Sequence, residues 1–253
     1  MTNIIIHGCG GKMGKVVEGI VNADESCQVV AGIDPRDGIV ADYPVFKSVN
    51  DCTVKGDVII DFSTASAIPA LIEYCRNTNT PAVLCTTGFS DELTAQVHEY
   101  AKDVALLKSA NMSVGVNLIL SVVKKMAETL YDSGFDIEIV EKHHNQKIDA
   151  PSGTALAIAD SINEALDNQL EYVYDRSQVR EKRDRKELGL HAVRGGTIVG
   201  EHDVIFAGKD EVITLSHSAM SKEIFAVGAV KAAKYLAGKP AGFYNMDSMI
   251  KEL

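Results

Sequence analysis

The sequence predicts an α/β protein: a Rossmann-like, doubly wound parallel sheet followed by a second domain of the α+β type. Three observations lead to this prediction. Short apolar runs alternate with segments of helical period through the first half of the chain. A glycine-rich turn joins the first run to the first helix, and the second half carries strand-like runs with no helix between them. Alternating strands and helices build parallel sheets, whereas successive strands build mixed or antiparallel ones.

The predicted strands of the first domain are short, continuous apolar runs, as expected for strands that are covered on both faces. In chain order they are Ile4–Ile6, Val29–Ile33, Val58–Phe62, Ala82–Leu84 and Ala105–Leu107. The segments between them repeat apolar residues at helical spacing, for example Ile68, Leu71, Ile72 and Cys75.

The pattern changes after Ser113. A helix over about 114–130 leads to Phe135–Val140, which alternates like a half-solvated strand, and another helix covers 155–166. Further strand-like runs lie near Leu190–Val193, Val199–Ala207 and Val212–Ser216. The C-terminal segment returns to helical spacing, and we expect it to pack on the first domain because chain termini often lie close together.

These elements predict two domains. Residues 1–113 plus 224–253 form the first, and residues 114–223 form the second. A chain of 253 residues with 46% hydrophobic residues is long enough to give each domain a core of its own.

Composition and charge exclude several classes of function. The formal net charge of −10 argues against nucleic acid or an anionic membrane as a partner. No apolar run approaches the roughly 20 residues that span a bilayer. We expect no signal sequence, because the N-terminus runs into a predicted strand at Ile4–Ile6. The scattered cysteines lack Cys-x-x-Cys spacing, which predicts reduced thiols in the cytoplasm and no metal site. They are Cys9, Cys27, Cys52, Cys75 and Cys85.

The glycine-rich turn at the N-terminus fits the spacing G-x-x-G-x-x-G through Gly8, Gly11 and Gly14. Glycines at such a turn let backbone N–H groups approach a pyrophosphate at the start of a helix. Asp34 ends the second strand, where an acid binds ribose hydroxyls, and Arg36 is placed to meet a 2′-phosphate. The alternative is a tight turn without a ligand. The candidate cofactor residues are Gly8, Cys9, Gly10, Gly11, Lys12, Met13, Asp34 and Arg36.

Two later loops also follow predicted parallel strands, and ligands in open α/β sheets bind beyond the carboxyl ends of strands. We therefore expect these loops to line the nicotinamide half of a dinucleotide, although either loop alone is more often a helix cap. Their candidate residues are Cys85, Thr86, Thr87, Ser109, Ala110, Asn111 and Met112.

The segment from Glu141 to Thr154 brings proton-carrying groups together. His143, His144 and Lys147 fall within five residues, and a Pro-Ser-Gly-Thr turn then opens a helix. Closely spaced cationic groups and the free N–H groups of a helix start both favour an anion. The segment is thus predicted to bind a carboxylate or phosphate and to move a proton. A solvated polar loop is the alternative.

Taken together, these residues resemble the dihydrodipicolinate reductase family over the whole chain. The resemblance rests on Gly8–Gly14, Asp61–Ser63, Thr86–Phe89, Ser113–Asn117, Glu141–His144, Lys147–Ala155 and Ile198–His202. Two positions depart from the family pattern: Cys85 replaces a glycine, and Met112 stands where an aromatic residue is common.

The resemblance implies a homotetrameric enzyme whose second domains bind substrate and pair through their sheets. It implies reduction of 4-hydroxy-tetrahydrodipicolinate, a cyclic dicarboxylate, by NADH or NADPH with loss of water, in lysine and diaminopimelate biosynthesis. His143 would be the acid/base residue and Lys147 a proton donor, while His144, Gly153 and Thr154 would bind substrate. The spacing of Asp34 and Arg36 leaves the choice of nucleotide open.

Two other functions fit parts of the pattern. An amino-acid or sugar dehydrogenase would also combine a Rossmann domain with an α+β domain, but it would oxidise saturated alcohols or amines. A regulator that binds NAD(H) without turnover would have no use for the cluster of His143, His144 and Lys147.

Overall fold

The computed structural model describes residues 1–109 and 111–252, so the predicted cofactor residue Ala110 lies outside the described residues. The strands are β1 (Thr2–His7), β2 (Cys27–Ile33), β3 (Val45–Phe46), β4 (Val58–Asp61), β5 (Ala82–Leu84), β6 (Ala105–Lys108), β7 (Asp136–His143), β8 (Glu171–Val173), β9 (Glu187–Arg194), β10 (Gly200–Ala207), β11 (Val212–Ala219) and β12 (Gly242–Tyr244). The helices are α1 (Lys12–Asn22), α2 (Ile68–Thr78), α3 (Asp91–Tyr100), α4 (Val114–Asp132), α5 (Gly153–Ala165), α6 (Glu223–Leu236) and α7 (Met246–Lys251).

The chain divides into two compact units. The first unit contains Met1–Val114 and Glu223–Leu253, and the second contains Gly115–Lys222. Within the described residues, no helix combines the length and the apolar character needed to cross a membrane.

The first unit is built on a seven-stranded sheet in the order β12-β6-β5-β4-β1-β2-β3. Every neighbouring pair in it is parallel. Apolar side chains of successive strand residues alternate between two cores, so Ile4 and Ile6 pack with α1 and α6 while Ile5 packs with α2 and α3. Helices thus cover both faces, and the predicted doubly wound fold is confirmed.

The second unit is a five-stranded mixed sheet in the order β11-β10-β7-β9-β8. The pairs β7–β9 and β8–β9 are parallel, whereas β10 is antiparallel to both β7 and β11. One face packs Ile137, Ile139 and Phe206 against α4 and α5. The predicted α+β class is therefore also confirmed.

The main differences between the observed and predicted strands are short strands that were missed and strands that run further than predicted. The short strands β3, β8 and β12 were not predicted, because two or three residues give no readable apolar period. Strand β7 does not stop at Val140 but continues to His143, keeping its strict alternation of buried and half-buried residues. Glu141 and His143 consequently share a face with Ile137 and Ile139, where side chains point towards the helices.

Candidate active-site residues

The glycine turn joins β1 to α1 in the first unit, and two of its glycines are required by backbone geometry. Gly8 has φ +84°, and a Cβ there would lie 2.6 Å from the Phe62 carbonyl oxygen. A Cβ on Gly14 would collide with the carbonyl oxygen of Gly8. A glycine is therefore needed for α1 to begin directly after the turn. Gly11 is the N-cap of α1, and among the described residues no side chain caps this helix start. Its amides are thus available to an anion.

Asp34 ends β2 and is only 1% exposed. Its carboxylate accepts hydrogen bonds from the Gly10 N–H at 3.0 Å and from Arg36 Nε and Nη2 at 2.8 and 2.6 Å. The Arg36 guanidinium is the main cause that lowers the pKa of Asp34 to about 2. Asp34 therefore ties the glycine turn to β2, while more than half of the Arg36 side chain stays exposed.

The loops after β5 and β6 lie at the same sheet edge as the glycine turn, because the ends of β1, β4, β5 and β6 are in register. Thr86 is buried, and its hydroxyl has no hydrogen-bond partner among the described residues. Burial raises the pKa of the Cys85 thiol well above its ordinary value, which keeps it protonated. Met112 is buried in the apolar core. Among the other predicted cofactor residues, Lys12 and Thr87 are exposed, while Met13, Ser109 and Asn111 are half-buried.

In the second unit, His143 is held by the side chain of Glu141. Its Nδ1 lies 2.6 Å from Glu141 Oε2, and Glu141 is fully buried. Arg194, paired with His143 across the β7–β9 ladder, donates to both carboxylate oxygens at 2.7 Å. Burial alone would raise the pKa of Glu141, but hydrogen bonds from Arg194, His143 and the Ser152 N–H outweigh burial and lower it.

The start of α5 joins this cluster through Ser152, its N-cap. The Ser152 N–H donates to Glu141 Oε1 at 2.8 Å, and the Ser152 hydroxyl accepts from the Ala155 N–H at 3.1 Å. The same hydroxyl lies 3.0 Å from Nε2 of His202, a residue of β10 that is 4% exposed. Burial, and then the nearby His143, lower the pKa of His202 to about 4. The ring of His202 is therefore neutral at pH 7.

The loop between β7 and α5 contains the other predicted substrate residues. Lys147 Nζ lies 2.9 Å from Asp149 Oδ1. Lys147, and to a smaller extent the Gly153 N–H, lower the pKa of Asp149. His144 is half-buried, and its buried Nδ1 has no hydrogen-bond partner among the described residues. Thr154 follows Gly153 in the first turn of α5. The structure thus brings Lys147 together with the helix start, around one carboxylate.

Comparison with known proteins accounts for both units. The family model described as dihydrodipicolinate reductase, N-terminus, matches residues 2–112, and the model of the C-terminus matches residues 115–250. The chain belongs to the dihydrodipicolinate reductase family. The family predicted from the sequence is confirmed.

Full-length relatives belong to the same family. The chain is 52% identical over 252 residues to the 4-hydroxy-tetrahydrodipicolinate reductase of Caldanaerobacter subterraneus subsp. tengcongensis, covering 100% of this chain and 99% of the relative. It is 48% identical to the enzyme of that name from Clostridium novyi, with 99% of both chains covered.

Solved structures support the fold. A dipicolinate-bound dihydrodipicolinate reductase from Paenisporosarcina sp. TG-14 superposes with a TM-score of 0.83 at 26% identity, over 97% of each chain. An amine dehydrogenase from Mycobacterium smegmatis reaches a TM-score of 0.65 at 11% identity, over 98% of this chain and 95% of that chain. The second similarity shows a shared fold alone.

Three residues of the second-unit cluster were missed by the sequence reasoning: Glu141, Arg194 and His202. Glu141 had a readable signal, since it continues the alternation of Ile137 and Ile139. A carboxylate at such a buried position needs a charged partner. Arg194 and His202 had no such signal, because only the strand order brings them beside β7.

The low pKa of His202 predicts a pH-dependent stability. An unfolded histidine has a pKa near 6.5, so the unfolded chain binds more protons than the folded chain as the pH falls below about 6.5. The effect of His202 is thus to lower the free energy of unfolding as the pH falls from about 6.5 towards 4. We expect His202 to account for a loss of about 2 kcal/mol in unfolding free energy between pH 7 and pH 5.

Denaturant titrations at the two pH values measure this loss. The His202→Gln variant should lose much less stability on acidification, while a substitution of the exposed His98 to Gln should behave like the wild type. Equal acid sensitivity in the wild type and in His202→Gln would contradict the assignment.

Proposed function

We propose that the protein is a 4-hydroxy-tetrahydrodipicolinate reductase, which reduces this cyclic dicarboxylate with NADH or NADPH and loss of water in lysine and diaminopimelate biosynthesis. Full-length similarity to the relatives of that name supports the reaction. Within the second unit, the observation that carries the substrate assignment is the position of Asp149.

The Asp149 carboxylate serves as an internal model for a substrate carboxylate. Its Oδ1 lies 2.9 Å from Lys147 Nζ, and the Gly153 N–H is near enough to lower its pKa slightly, so the Lys147 ammonium group already pairs with a carboxylate beside the start of α5. A cation and a helix start are the donors that a carboxylate ligand requires. Since the Asp149 side chain is 58% exposed, it can move into solvent when substrate binds. Lys147, Gly153 and Thr154 are then the carboxylate-binding residues, and His144 lines the same loop.

The residues of the first unit fit a pyridine dinucleotide. The uncapped start of α1 and the turn of Gly8 to Gly11 supply backbone donors for a pyrophosphate. The buried Thr86 hydroxyl, unpaired among the described residues, supplies a donor at the edge where the nicotinamide half is expected. NAD(P)H, when bound, supplies the hydride that reduces the substrate ring.

His143 supplies the proton in this proposal. Because Nδ1 faces the Glu141 carboxylate, the second ring nitrogen, Nε2, is the atom that exchanges a proton with substrate. A Cβ on Gly200 would lie 3.1 Å from Nε2. Because glycine has no side chain, no Cβ covers this nitrogen from that position. Protonated His143 and Lys147 both offset the negative charge that develops on the ring as it accepts the hydride.

We also propose a homotetramer that forms through the second-unit sheet, located in the cytoplasm. The face of this sheet turned away from α4 and α5, together with the outer strand β11, leaves Val193, Val212 and Ile213 exposed. An open edge strand and exposed apolar residues are characteristic of a surface that pairs. All five cysteines are free, in keeping with a reducing compartment. Light scattering of the purified protein measures the number of chains.

The reaction is tested with substrate generated in situ from pyruvate and aspartate semialdehyde, by following the oxidation of NADH and of NADPH. We expect His143→Gln to lower kcat about 10²-fold or more, the usual scale of general acid catalysis, while nucleotide binding stays intact. Turnover within threefold of the wild type would mean that His143 is not the acid.

Substitution of Lys147 by Ala should weaken binding of dipicolinate, a planar dicarboxylate, by about tenfold or more, because a charge-assisted hydrogen bond is lost. Calorimetric titration with NADH present measures the affinity. Lys142→Ala is the matched control, since Lys142 already pairs with Glu201 and Asp203 at 3.0 and 3.2 Å. Similar losses in the two variants would indicate a general charge effect instead of a contact.

Arg36 should favour NADPH. Its Nε and Nη2 bind Asp34, but Nη1 makes no hydrogen bond within the described residues and is available to a 2′-phosphate. We expect Arg36→Ala to weaken NADPH binding by about 1–2 kcal/mol and to spare NADH. Fluorescence titration with both nucleotides checks this, with Arg76→Ala on α2 as a control for the loss of one positive charge. Equal losses for both nucleotides would show that Arg36 does not read the phosphate.

A further inference from the structure

We propose that Glu141, fixed in place by Arg194, is the positioning residue that orients the ring of His143 for its role as an acid. This inference rests on the proposed function, in which His143 delivers the proton. It assigns to Glu141 and Arg194 a function in the reaction that neither the fold nor the sequence similarity specifies.

The hydrogen bonds of Glu141 hold its carboxylate in one orientation. Oε1 accepts from the Ser152 N–H at 2.8 Å and from Arg194 Nη2 at 2.7 Å. Oε2 accepts from Arg194 Nη1 at 2.7 Å and faces His143 Nδ1 at 2.6 Å. A rotation of the carboxylate would break several of these bonds inside a fully buried site, where unpaired charge is costly. The acceptor for His143 therefore has one fixed direction.

This geometry determines the chemistry of the His143 ring. A carboxylate at Nδ1 favours the N–H at that nitrogen and leaves Nε2 for exchange with substrate. Around the ring, Glu141 lies on β7, Arg194 on β9 and His202 on β10, and the ring centroids of His143 and His202 are 5.2 Å apart. The position of the Glu141 carboxylate, held from β9 by Arg194, therefore sets the direction in which the His143 ring presents Nε2.

A chemically matched trio lies on the other face of the same strands. Glu138 on β7 accepts from Arg183 Nε at 2.8 Å and lies 2.8 Å from His191 Nε2 on β9. His191 is on the face away from α4 and α5, and its side chain is 40% exposed. The change Glu138→Gln therefore removes the same charge from the same strand, beside the same kinds of partner, without touching His143.

The decisive experiment compares Glu141→Gln with Glu138→Gln. We expect Glu141→Gln to lower kcat at least tenfold. Dipicolinate and NADH affinities should change less than about threefold, because Glu141 is fully buried and acts through the ring of His143. Glu138→Gln should keep the kcat of the wild type, with light scattering as a check on assembly. A wild-type kcat for Glu141→Gln would overturn the proposal.

A double-mutant cycle separates this proposal from the proposed function. If Glu141 acts only through His143, then Glu141→Gln costs no further activity in a His143→Gln background. Additive losses would overturn the positioning role while leaving His143 as the acid. An active His143→Gln enzyme would instead refute the acid assignment itself.

The conservative variant Glu141→Asp covers the case in which Glu141→Gln does not fold. It keeps the charge but withdraws the carboxylate from Nδ1 by one methylene. We expect a lowered kcat, with dipicolinate affinity within about threefold of the wild type. Full wild-type activity in Glu141→Asp would argue against positioning of the ring by this contact.

Discussion

Burial of one negative charge organises the second unit. Glu141 cannot reach solvent, so a folded chain must supply its counter-charge and hydrogen bonds from within. The carboxylate is contacted by Arg194 of β9, by the Ser152 N–H at the start of α5 and by His143 of β7 itself. The requirement to satisfy Glu141 thus fixes three elements at one point, beside His143, the residue proposed to transfer the proton. Buried ion pairs add little to stability on balance, so their benefit here is geometric.

The first unit contains the same arrangement, a buried carboxylate that fixes a helix start, built from other residues. Asp34 is also a buried carboxylate at the end of a strand, and it also accepts from an arginine and from a backbone N–H of a turn. In the first unit the turn is the one at Gly10, and in the second it is the one at Ser152. Each carboxylate therefore holds a helix start in register with its sheet. The N–H groups not used by the carboxylate remain directed at the space where an anion is expected to bind.

The sequence predicted those features that are local in the chain. The spacing of Gly8, Gly11 and Gly14 predicts a turn, and the apolar runs predict buried strands. Both features depend only on residues that are neighbours in the chain. The cluster around His143 was predicted only in part. Arg194 is 53 residues from Glu141, and its role follows from β9 pairing in parallel with β7, which no local pattern encodes. The end of β7 was also missed, because charged residues at 141 and 142 interrupt the apolar alternation although the strand continues.

The position of Asp149 connects the local sequence to substrate affinity. A chain with a net charge of −10 repels a dianion at long range, so binding depends on a short-range positive site. In the proposed function Lys147 and the start of α5 provide that site, and Asp149 pairs with Lys147 in this structure. Substrate binding at that site would exchange one carboxylate for another, and its free energy would be the difference between the two interactions. Because Asp149 is largely exposed, the energy lost on its release is small, whereas a second carboxylate of the substrate adds contacts that Asp149 cannot make. A site of this kind is expected to favour dicarboxylates over monocarboxylates, as the proposed substrate requires.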